Sequence, residues 1–472
     1  MSLTLRSYID GIKNKTLDGS EVLEGYISKS MASSLNTYIT MTEEYARSEI
    51  VHSNLAELPL SGAPICLKDN IATQWIRTTC ASKILDNYIA PYNATCRDLL
   101  HQAGATLIAK ANMDEFAMWS SNENSAYGPV LNIHDRGRVA WWSSGWVASA
   151  VAADLCLAGL WTDTGGSIRQ PAALCGVVGI KPTYGRVSRY GVMPMGNSLD
   201  QVWVIAKSLE DSQIMLSNIS GYDPKDAHSV YKQDHHHRHS IFQKTDQSLK
   251  GIKIAIFEDF FWDWLDPEIA DQIKQVSAQI QDQWWVVEYI KFPLLSYCLP
   301  VYYTLCPAEV STNLSRMDGI KYGLQWDTTT FANLTHYITA MRSEWFGEET
   351  QRRIIVGTYV LSSEHFQEYY LQANKMRTLI TDAMIQVFDH YDAILSPTSP
   401  EVAREIGRKS NDPIAMYLAD IYTIIANLVG IPAISIPHGF QTVGNKKLPM
   451  AYQLMSGHWR EDILFTIWHK LS

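Results

Sequence analysis

Short apolar runs alternate with a helical pattern in the first quarter of the chain, and this alternation limits the fold more than any other feature. Residues 63–67 form an apolar run of strand length that ends at Lys68. Residues 98–105 have a helical pattern, and residues 106–109 form the next strand-length run. Strand, helix and strand at these spacings predict an α/β fold with a parallel or mixed sheet. Later strand-length runs are residues 252–257, 392–395 and 434–436.

The chain shows no internal repeat and no low-complexity linker over its 472 residues. We therefore expect a single domain over residues 1–472. Its N-terminal segment, residues 1–60, is predicted to be helical, with Ser20 as the cap of one helix and Thr42 at the start of another. Residues 223–247 are the poorest in apolar side chains, and we expect a less ordered insertion there.

A histidine cluster lies inside that insertion, and such a cluster could bind a metal ion. No carboxylate or cysteine ligands recur around it at regular spacing, so we favour a solvated surface loop and expect no metal site. The cluster consists of His235, His236, His237 and His239.

Net charge and cysteine content exclude several classes of protein. The net charge is −10, from 39 Lys+Arg against 49 Asp+Glu, which disfavours autonomous nucleic-acid binding through a basic surface. No apolar run reaches the ~18 residues that indicate a membrane span, and the first residues lack a signal-peptide pattern. The seven cysteines form no CxxC pair, so reduced thiols in a cytoplasmic protein fit better than a disulfide or zinc framework.

Residues 139–191 are dense in Ser, Thr and Gly and carry the strongest chemical signal. Gly165 and Gly166 precede Ser167, and paired glycines allow a tight turn that exposes N–H groups near the hydroxyl. Such N–H groups can stabilise an oxyanion. A serine hydroxyl becomes a useful nucleophile only when a base takes its proton. Of the histidines, only His134 lies near this segment.

Lys68 is the remaining candidate for the base. Burial disfavours the ammonium form and lowers the pKa of a lysine, so a buried amine at the end of a strand could accept a proton. Lys68 could equally be a surface residue, and the Gly-Gly-Ser string could equally be a phosphate loop, although no Walker-type motif and no G-x-S-x-G elbow is present. The residues alone leave a Ser/Lys acyl-transfer enzyme as one possibility.

Longer sequence strings decide between these possibilities, because they resemble the strings of a known family. The chain resembles the amidase signature family, and within it the tRNA-dependent amidotransferase subunits, over nearly its whole length. The matching strings are residues 67–70, 77–83, 112–118, 163–171 and 179–188. The resemblance implies an amidase-signature α/β/α sandwich, in which helices cover a large mixed β-sheet core.

The same resemblance implies a Ser-Ser-Lys triad. Carried over by motif, Ser167 is the nucleophile, Ser143 passes the proton, and Lys68 is the base. Ser144 would support this relay by hydrogen bonding, and it could also cap the helix that follows. Backbone N–H groups near the nucleophile would stabilise the oxyanion; they belong to Thr164, Gly165, Gly166 and Ser167.

Three further positions match the family's pocket for glutamine. Tyr303, Arg352 and Asp420 would bind the substrate, with the cation facing the α-carboxylate and the anion facing the α-ammonium. Tyr302 and Arg353 are the alternatives one residue away.

The implied function is a glutaminase that supplies ammonia for converting Glu-tRNA(Gln), or Asp-tRNA(Asn), to the amidated form. The implied partners are the B and C subunits of a heterotrimer, with misacylated tRNA bound through the B subunit. ATP and Mg²⁺ would be used by the complex, and this chain would hold no cofactor of its own. The alternatives are a stand-alone amide hydrolase and a non-catalytic assembly subunit.

Tryptophan is used where this family has glycine. The chain has 15 Trp against only 12 Phe, and an indole cannot enter the φ > 0 conformations that glycine offers. Replacement at eleven positions by one residue type indicates a decoding effect: the organism reads UGA as glycine, and the printed sequence reads it as tryptophan. Restoring glycine brings the glycine content close to the usual ~7%. The eleven positions are Trp75, Trp119, Trp141, Trp142, Trp146, Trp161, Trp203, Trp262, Trp264, Trp284 and Trp345.

Overall fold

An eleven-stranded mixed sheet forms the centre of the molecule, in the order β1-β3-β2-β4-β6-β5-β10-β11-β9-β7-β8. The computed structural model describes residues 3–51, 55–118, 122–140, 145–230, 251–407 and 418–471. The strands are β1 (Tyr38–Met41), β2 (Pro64–Lys68), β3 (Thr106–Ala111), β4 (Ala158–Asp163), β5 (Val178–Lys181), β6 (Gln201–Ala206), β7 (Lys253–Phe257), β8 (Val286–Ile290), β9 (Ala393–Pro397), β10 (Ala433–Val443) and β11 (Lys446–Ser456).

The described α-helices pack around this sheet. They are α1 (Leu5–Lys13), α2 (Gly19–Ala32), α3 (Glu43–Ile50), α4 (Thr95–Gln102), α5 (Gly145–Ala152), α6 (Arg169–Cys175), α7 (Leu209–Ile219), α8 (Pro267–Asp282), α9 (Leu295–Leu314), α10 (Leu334–Trp345), α11 (Glu348–Val360), α12 (Leu371–Phe388), α13 (Ile421–Val429) and α14 (Glu461–Leu471).

Alternate residues of β7 enter two different apolar clusters, because successive side chains of a strand point to opposite faces. Ile254 and Ile256 lie in one cluster, while Ala255 and Phe257 lie in the other. The sheet therefore has a core on both faces. This confirms the predicted α/β/α sandwich with a large mixed sheet.

Strand β2 pairs in parallel with β3 on one side and β4 on the other. All five of its residues are buried, which explains its nearly continuous apolar sequence. Leu67 lies opposite Leu160 of β4. The carboxyl ends of β2 and β4 therefore meet at one edge of the sheet.

The N-terminal segment is mainly helical, with two differences from the prediction. Asp18, and not Ser20, caps α2: its carboxylate accepts a hydrogen bond from the backbone N–H of Glu21. The segment also contains β1, which pairs with β3 in antiparallel fashion. The apolar pattern did not predict this strand, because four half-buried residues give no clear alternation.

Several predicted features lie outside the described residues. These are Ser143 and Ser144, three of the unusual tryptophans (Trp119, Trp141 and Trp142), and the histidine cluster at 235–239. Within the part of the chain that the structure describes, none of the helices is both long and apolar enough to span a bilayer.

Candidate active site

Lys68 and the Gly-Gly-Ser loop lie at the same edge of the sheet. Lys68 is the last residue of β2, and Asp163 is the last residue of the parallel strand β4. The loop of residues 164–167, which ends at Ser167, follows Asp163 directly and leads into α6. The parallel pairing thus places the predicted base and the predicted nucleophile at adjacent strand ends.

Asp163 holds the loop in shape. Its carboxylate accepts hydrogen bonds from the backbone N–H of Gly166 (2.8 Å) and of Ile168 (3.2 Å), and from the side-chain amide of Asn427 (2.7 Å). The guanidinium of Arg169 lies 3.6 Å from the same carboxylate. The expectation that all four N–H groups of the loop face an oxyanion is therefore corrected for Gly166, whose N–H is already engaged.

The loop needs both of its glycines. Gly166 has φ +140°, a conformation that other L-residues rarely adopt, and a Cβ there would collide with Thr423. A Cβ on Gly165 would lie 2.6 Å from the hydroxyl oxygen of Tyr302. The hydroxyl of Thr423 also donates to the carbonyl of Gly165 (2.7 Å). Helices α13 and α9 thus pack against the loop.

Lys68 is fully buried, and its ammonium nitrogen lies 3.1 Å from the hydroxyl oxygen of Thr162. Burial lowers the pKa of Lys68 to about 7, while the carboxylates of Asp114, Asp200 and Asp163 oppose this shift. A substantial fraction of this amine is therefore neutral at physiological pH and able to accept a proton.

Ser143, the predicted proton carrier, lies outside the described residues, and so does Ser144. The structure places Lys68 at the end of β2 and the loop that ends at Ser167 directly after the adjacent parallel strand β4. The complete triad stays a prediction.

A second group of polar side chains lies beside the loop. The hydroxyl of Tyr303 donates to the carboxyl of Asp420 (2.5 Å), and the guanidinium of Arg353 lies 5.2 Å from the centre of the Tyr303 ring. Burial raises the pKa of Asp420 to about 8, and the Tyr303 hydrogen bond opposes that rise. Asp420 immediately precedes α13, the helix that supplies Thr423 to the loop.

Arg353 occupies this group, and Arg352 does not. Both arginines pair with the carboxylate of Glu349, but the Arg352 side chain is 57% exposed and the Arg353 side chain is 8% exposed. The expectation for Arg352 is corrected accordingly, and the alternative one residue later is the arginine that the structure places beside Tyr303 and Asp420.

The sequence analysis did not predict the residues that hydrogen-bond to the loop and to Arg169, some of which lie far away in the chain. Asp163 gave a local signal, because an aspartate three residues before a backbone N–H is a common capping arrangement. Thr423, Asn427 and Gln453 gave none. The last of these binds the guanidinium of Arg169 (2.5 Å) from β11, 284 residues away.

The tryptophans at expected glycine positions fit poorly. Five of the eight described ones bury an indole N–H that has no hydrogen-bond partner among the described residues: Trp146, Trp161, Trp203, Trp262 and Trp345. Two others, Trp75 and Trp284, have φ +62°. None of the four tryptophans outside the set has such a buried, unpartnered N–H in the described regions. Trp459, one of those four, also has a positive φ of +67°.

Two of these indoles crowd the site. The Lys68 amine lies 4.9 Å from the centre of the Trp161 ring. Trp161 faces Trp203 directly across the β4–β6 pair. Glycine at these two positions would remove the indoles from the neighbourhood of the base.

A metal centre is not evident in the regions that the structure describes, where no cluster of three or more His, Cys, Asp or Glu side chains could hold an ion. The carboxylates of the loop and of the second group instead accept hydrogen bonds from protein donors, as Asp163 and Asp420 do.

Residues 21–465 match the model of the amidase family, and the chain belongs to that family. The chain is 42% identical to the A subunit of glutamyl-tRNA(Gln) amidotransferase from Coxiella burnetii, covering 99% of this chain and 96% of the relative. It is 44% identical to the protein of the same name from Microcystis aeruginosa, covering 90% and 85%. The crystal structure of the A subunit from Thermotoga maritima superposes with a TM-score of 0.78 at 34% identity, covering 98% of this chain and 93% of that one.

Proposed function

We propose that this chain is the glutamine-hydrolysing subunit of a tRNA-dependent amidotransferase, supplying ammonia for the conversion of Glu-tRNA(Gln) to Gln-tRNA(Gln). The observation that carries the proposal is the buried Lys68, with its pKa lowered to about 7, at the same sheet edge as the Gly-Gly-Ser loop. The names of the relatives support the assignment to this enzyme and to tRNA(Gln).

The chemistry begins with neutral Lys68. It takes a proton from the hydroxyl of Ser143, which in turn takes the proton of Ser167. The oxygen of Ser167 bonds to the side-chain amide carbon of glutamine, and the backbone N–H groups of Thr164, Gly165 and Ser167 are the candidate donors to the oxyanion. The relay then returns a proton to the leaving nitrogen, the C–N bond breaks, and ammonia departs. Water attacks the acyl-enzyme and releases glutamate.

Glutamine recognition is assigned to the group beside the loop. Asp420 would pair with the α-ammonium, and Arg353 would attract the α-carboxylate. Tyr303 would orient Asp420 through its hydrogen bond. Because the pKa of Asp420 is raised to about 8 without substrate, a bound ammonium would favour its ionised form and release a proton near neutral pH.

The rest of the reaction is assigned to partners. The B subunit would activate the misacylated tRNA with ATP and Mg²⁺, and the C subunit would brace the pair. No Walker-type loop is present in the sequence, which supports ATP use outside this chain.

Ammonia release and co-purification together test the proposal. We expect the chain, with glycine at the eleven tryptophan positions and co-expressed with the other subunits encoded by its organism, to co-purify with them and to release ammonia from glutamine. A chain that hydrolyses simple amides equally well and binds no partner would instead be a stand-alone amidase. A folded complex that leaves glutamine intact would contradict the catalytic assignment.

The two neighbouring arginines provide a matched pair. Arg353→Ala removes the buried cation, and we expect the KM for glutamine to rise roughly 10- to 100-fold, as for loss of a charge-assisted contact of about 1.5–3 kcal/mol. Arg352→Ala removes an exposed cation from the same helix and should leave KM near its original value. Steady-state ammonia release measures both. A larger effect from Arg352→Ala would return the assignment to that residue.

A further inference from the structure

Asp200 connects the nucleophile loop to a separate segment of the protein. The hydroxyl of Thr164 donates to one oxygen of the Asp200 carboxylate (2.6 Å). The other oxygen accepts the backbone N–H groups of Met195 (2.8 Å) and Gly196 (3.0 Å). Both Thr164 and Asp200 are buried. One carboxylate therefore ties residue 164, three positions before Ser167, to the turn at residues 195–200.

The turn itself is braced from outside. Glu309 of α9 accepts hydrogen bonds from the backbone N–H and the hydroxyl of Ser198, and Arg377 of α12 binds the carbonyl and hydroxyl of the same serine. Asp200 is thus anchored to helices on one side and to the loop on the other. Asp163 binds the backbone N–H groups of Gly166 and Ile168, near the C-terminal end of the loop. Asp200 binds Thr164, at its N-terminal end.

We propose that Asp200 is a positioning residue for glutamine hydrolysis, fixing through Thr164 the end of the loop that supplies candidate oxyanion donors. This inference rests on the proposed function. Loss of the contact would let residues 164 and 165 shift, and small displacements of reacting groups reduce rates strongly. The contact touches the loop and not the Tyr303–Asp420 group, so kcat should change more than KM.

The pKa of Asp200 reflects both its burial and the contacts of its carboxylate. Burial raises the pKa of Asp200 to about 6, while the Thr164 hydrogen bond, the charge of Arg189 and the Met195 N–H oppose that rise. The opposing contacts stabilise the charged form that accepts the threonine hydroxyl.

Thr164→Val and Asp200→Asn test the inference through kcat and KM for glutamine. We expect each substitution to lower kcat roughly 10- to 100-fold with little change in KM. Thr164→Val removes the hydroxyl, and Asp200→Asn removes the charge of its acceptor. Because both act on the same contact, the double variant should lose about as much as Thr164→Val alone. Thr164→Ser keeps the hydroxyl and should recover most of the lost kcat. Rates are normalised to folded protein by circular dichroism.

Asp211→Asn is the matched control. Asp211 of α7 is also a buried carboxylate that accepts a backbone N–H, from Arg6 (2.8 Å), but this contact joins α7 to α1 and leaves the loop untouched, so kcat should stay near its original value. Full kcat in both Thr164→Val and Asp200→Asn, or multiplied losses in the double variant, would overturn the inference alone. A folded protein with glycine at the eleven tryptophan positions, with Thr164 and Asp200 unchanged, that releases no ammonia from glutamine would overturn the proposed function instead.

Discussion

Replacing Lys68 by arginine is expected to reduce glutamine hydrolysis roughly 10²–10⁴-fold, the usual contribution of a general base. Arginine keeps a long cationic side chain but cannot be deprotonated in a protein. Lys68→Met should have a comparable effect, because it removes the amine and retains much of the apolar volume. Ammonia release under saturating glutamine measures both variants.

The pH profile gives the same prediction a second readout. Burial lowers the pKa of Lys68 to about 7, so the amine is protonated and inactive below that pH and neutral above it. We expect kcat, which reports the groups of the substrate complex, to rise with pH as Lys68 loses its proton, and the arginine variant to lose this dependence.

Lys181→Met is the control for replacing a buried lysine other than Lys68. Lys181 is as buried as Lys68, and burial lowers its pKa well below the usual value, but its amine donates to the carbonyl of Pro182 (3.1 Å) and the side chain of Gln201. We expect this variant to retain its activity. A Lys68→Arg protein with full activity and an unchanged pH profile would contradict the assignment of the base.

The protein with glycine at the eleven tryptophan positions, called the restored protein below, is expected to fold and to be active. The printed sequence is expected to fold poorly. Each buried indole N–H without a partner costs about 1–3 kcal/mol relative to a hydrogen-bonded one. The left-handed backbone at Trp75 and Trp284 adds about 1–2 kcal/mol each. We expect the restored protein to be soluble, cooperative in thermal unfolding and active, and the printed sequence to fail in at least the first two respects.

Two adjacent residues allow the same idea to be tested one substitution at a time in the restored background. Trp284 is 92% exposed with φ +62°, whereas Trp285 is 6% exposed and packs in the core. Returning tryptophan to position 284 should lower the free energy of unfolding by about 1–2 kcal/mol. Trp285→Gly should lower it by about 3–5 kcal/mol, because it empties a core position.

Equal stability of the restored and printed proteins would contradict the decoding hypothesis. The codons offer an independent check: UGG at all eleven positions would exclude it. In that case the buried indoles are real, and a non-catalytic assembly role becomes the better interpretation of the chain.

Local pattern was sufficient for β2, the strand that ends at Lys68, but it did not predict β4, the strand that leads into the Gly-Gly-Ser loop. The runs ending at Lys68 and at residue 109 correspond to β2 and β3, and those at 252–257 and 392–395 to β7 and β9. Their sequences are nearly continuous apolar runs because both faces of the sheet are covered. The position of Lys68 beside the strand that leads to Ser167 follows from the parallel pairing of β2 and β4.

Other features depended on contacts that a local pattern does not contain. Arg352 and Arg353 are adjacent in sequence but face directions about 100° apart on α11, since a helix turns every ~3.6 residues. Which one enters the pocket depends on how α11 packs against α9. The bond from Thr164 to Asp200 and the one from Asn427 to Asp163 likewise join strand ends to distant segments.

Covalent labelling tests the central claim, that a neutral lysine arms Ser167, most directly. The restored protein is incubated with a diazoketone analogue of glutamine, which alkylates the attacking atom, and the labelled peptide is identified by mass spectrometry. We expect one label on Ser167, a labelling rate that rises with pH as Lys68 loses its proton, and very slow labelling in Lys68→Arg. A label on another residue, such as one of the seven cysteines, or an undiminished rate in Lys68→Arg, would contradict it.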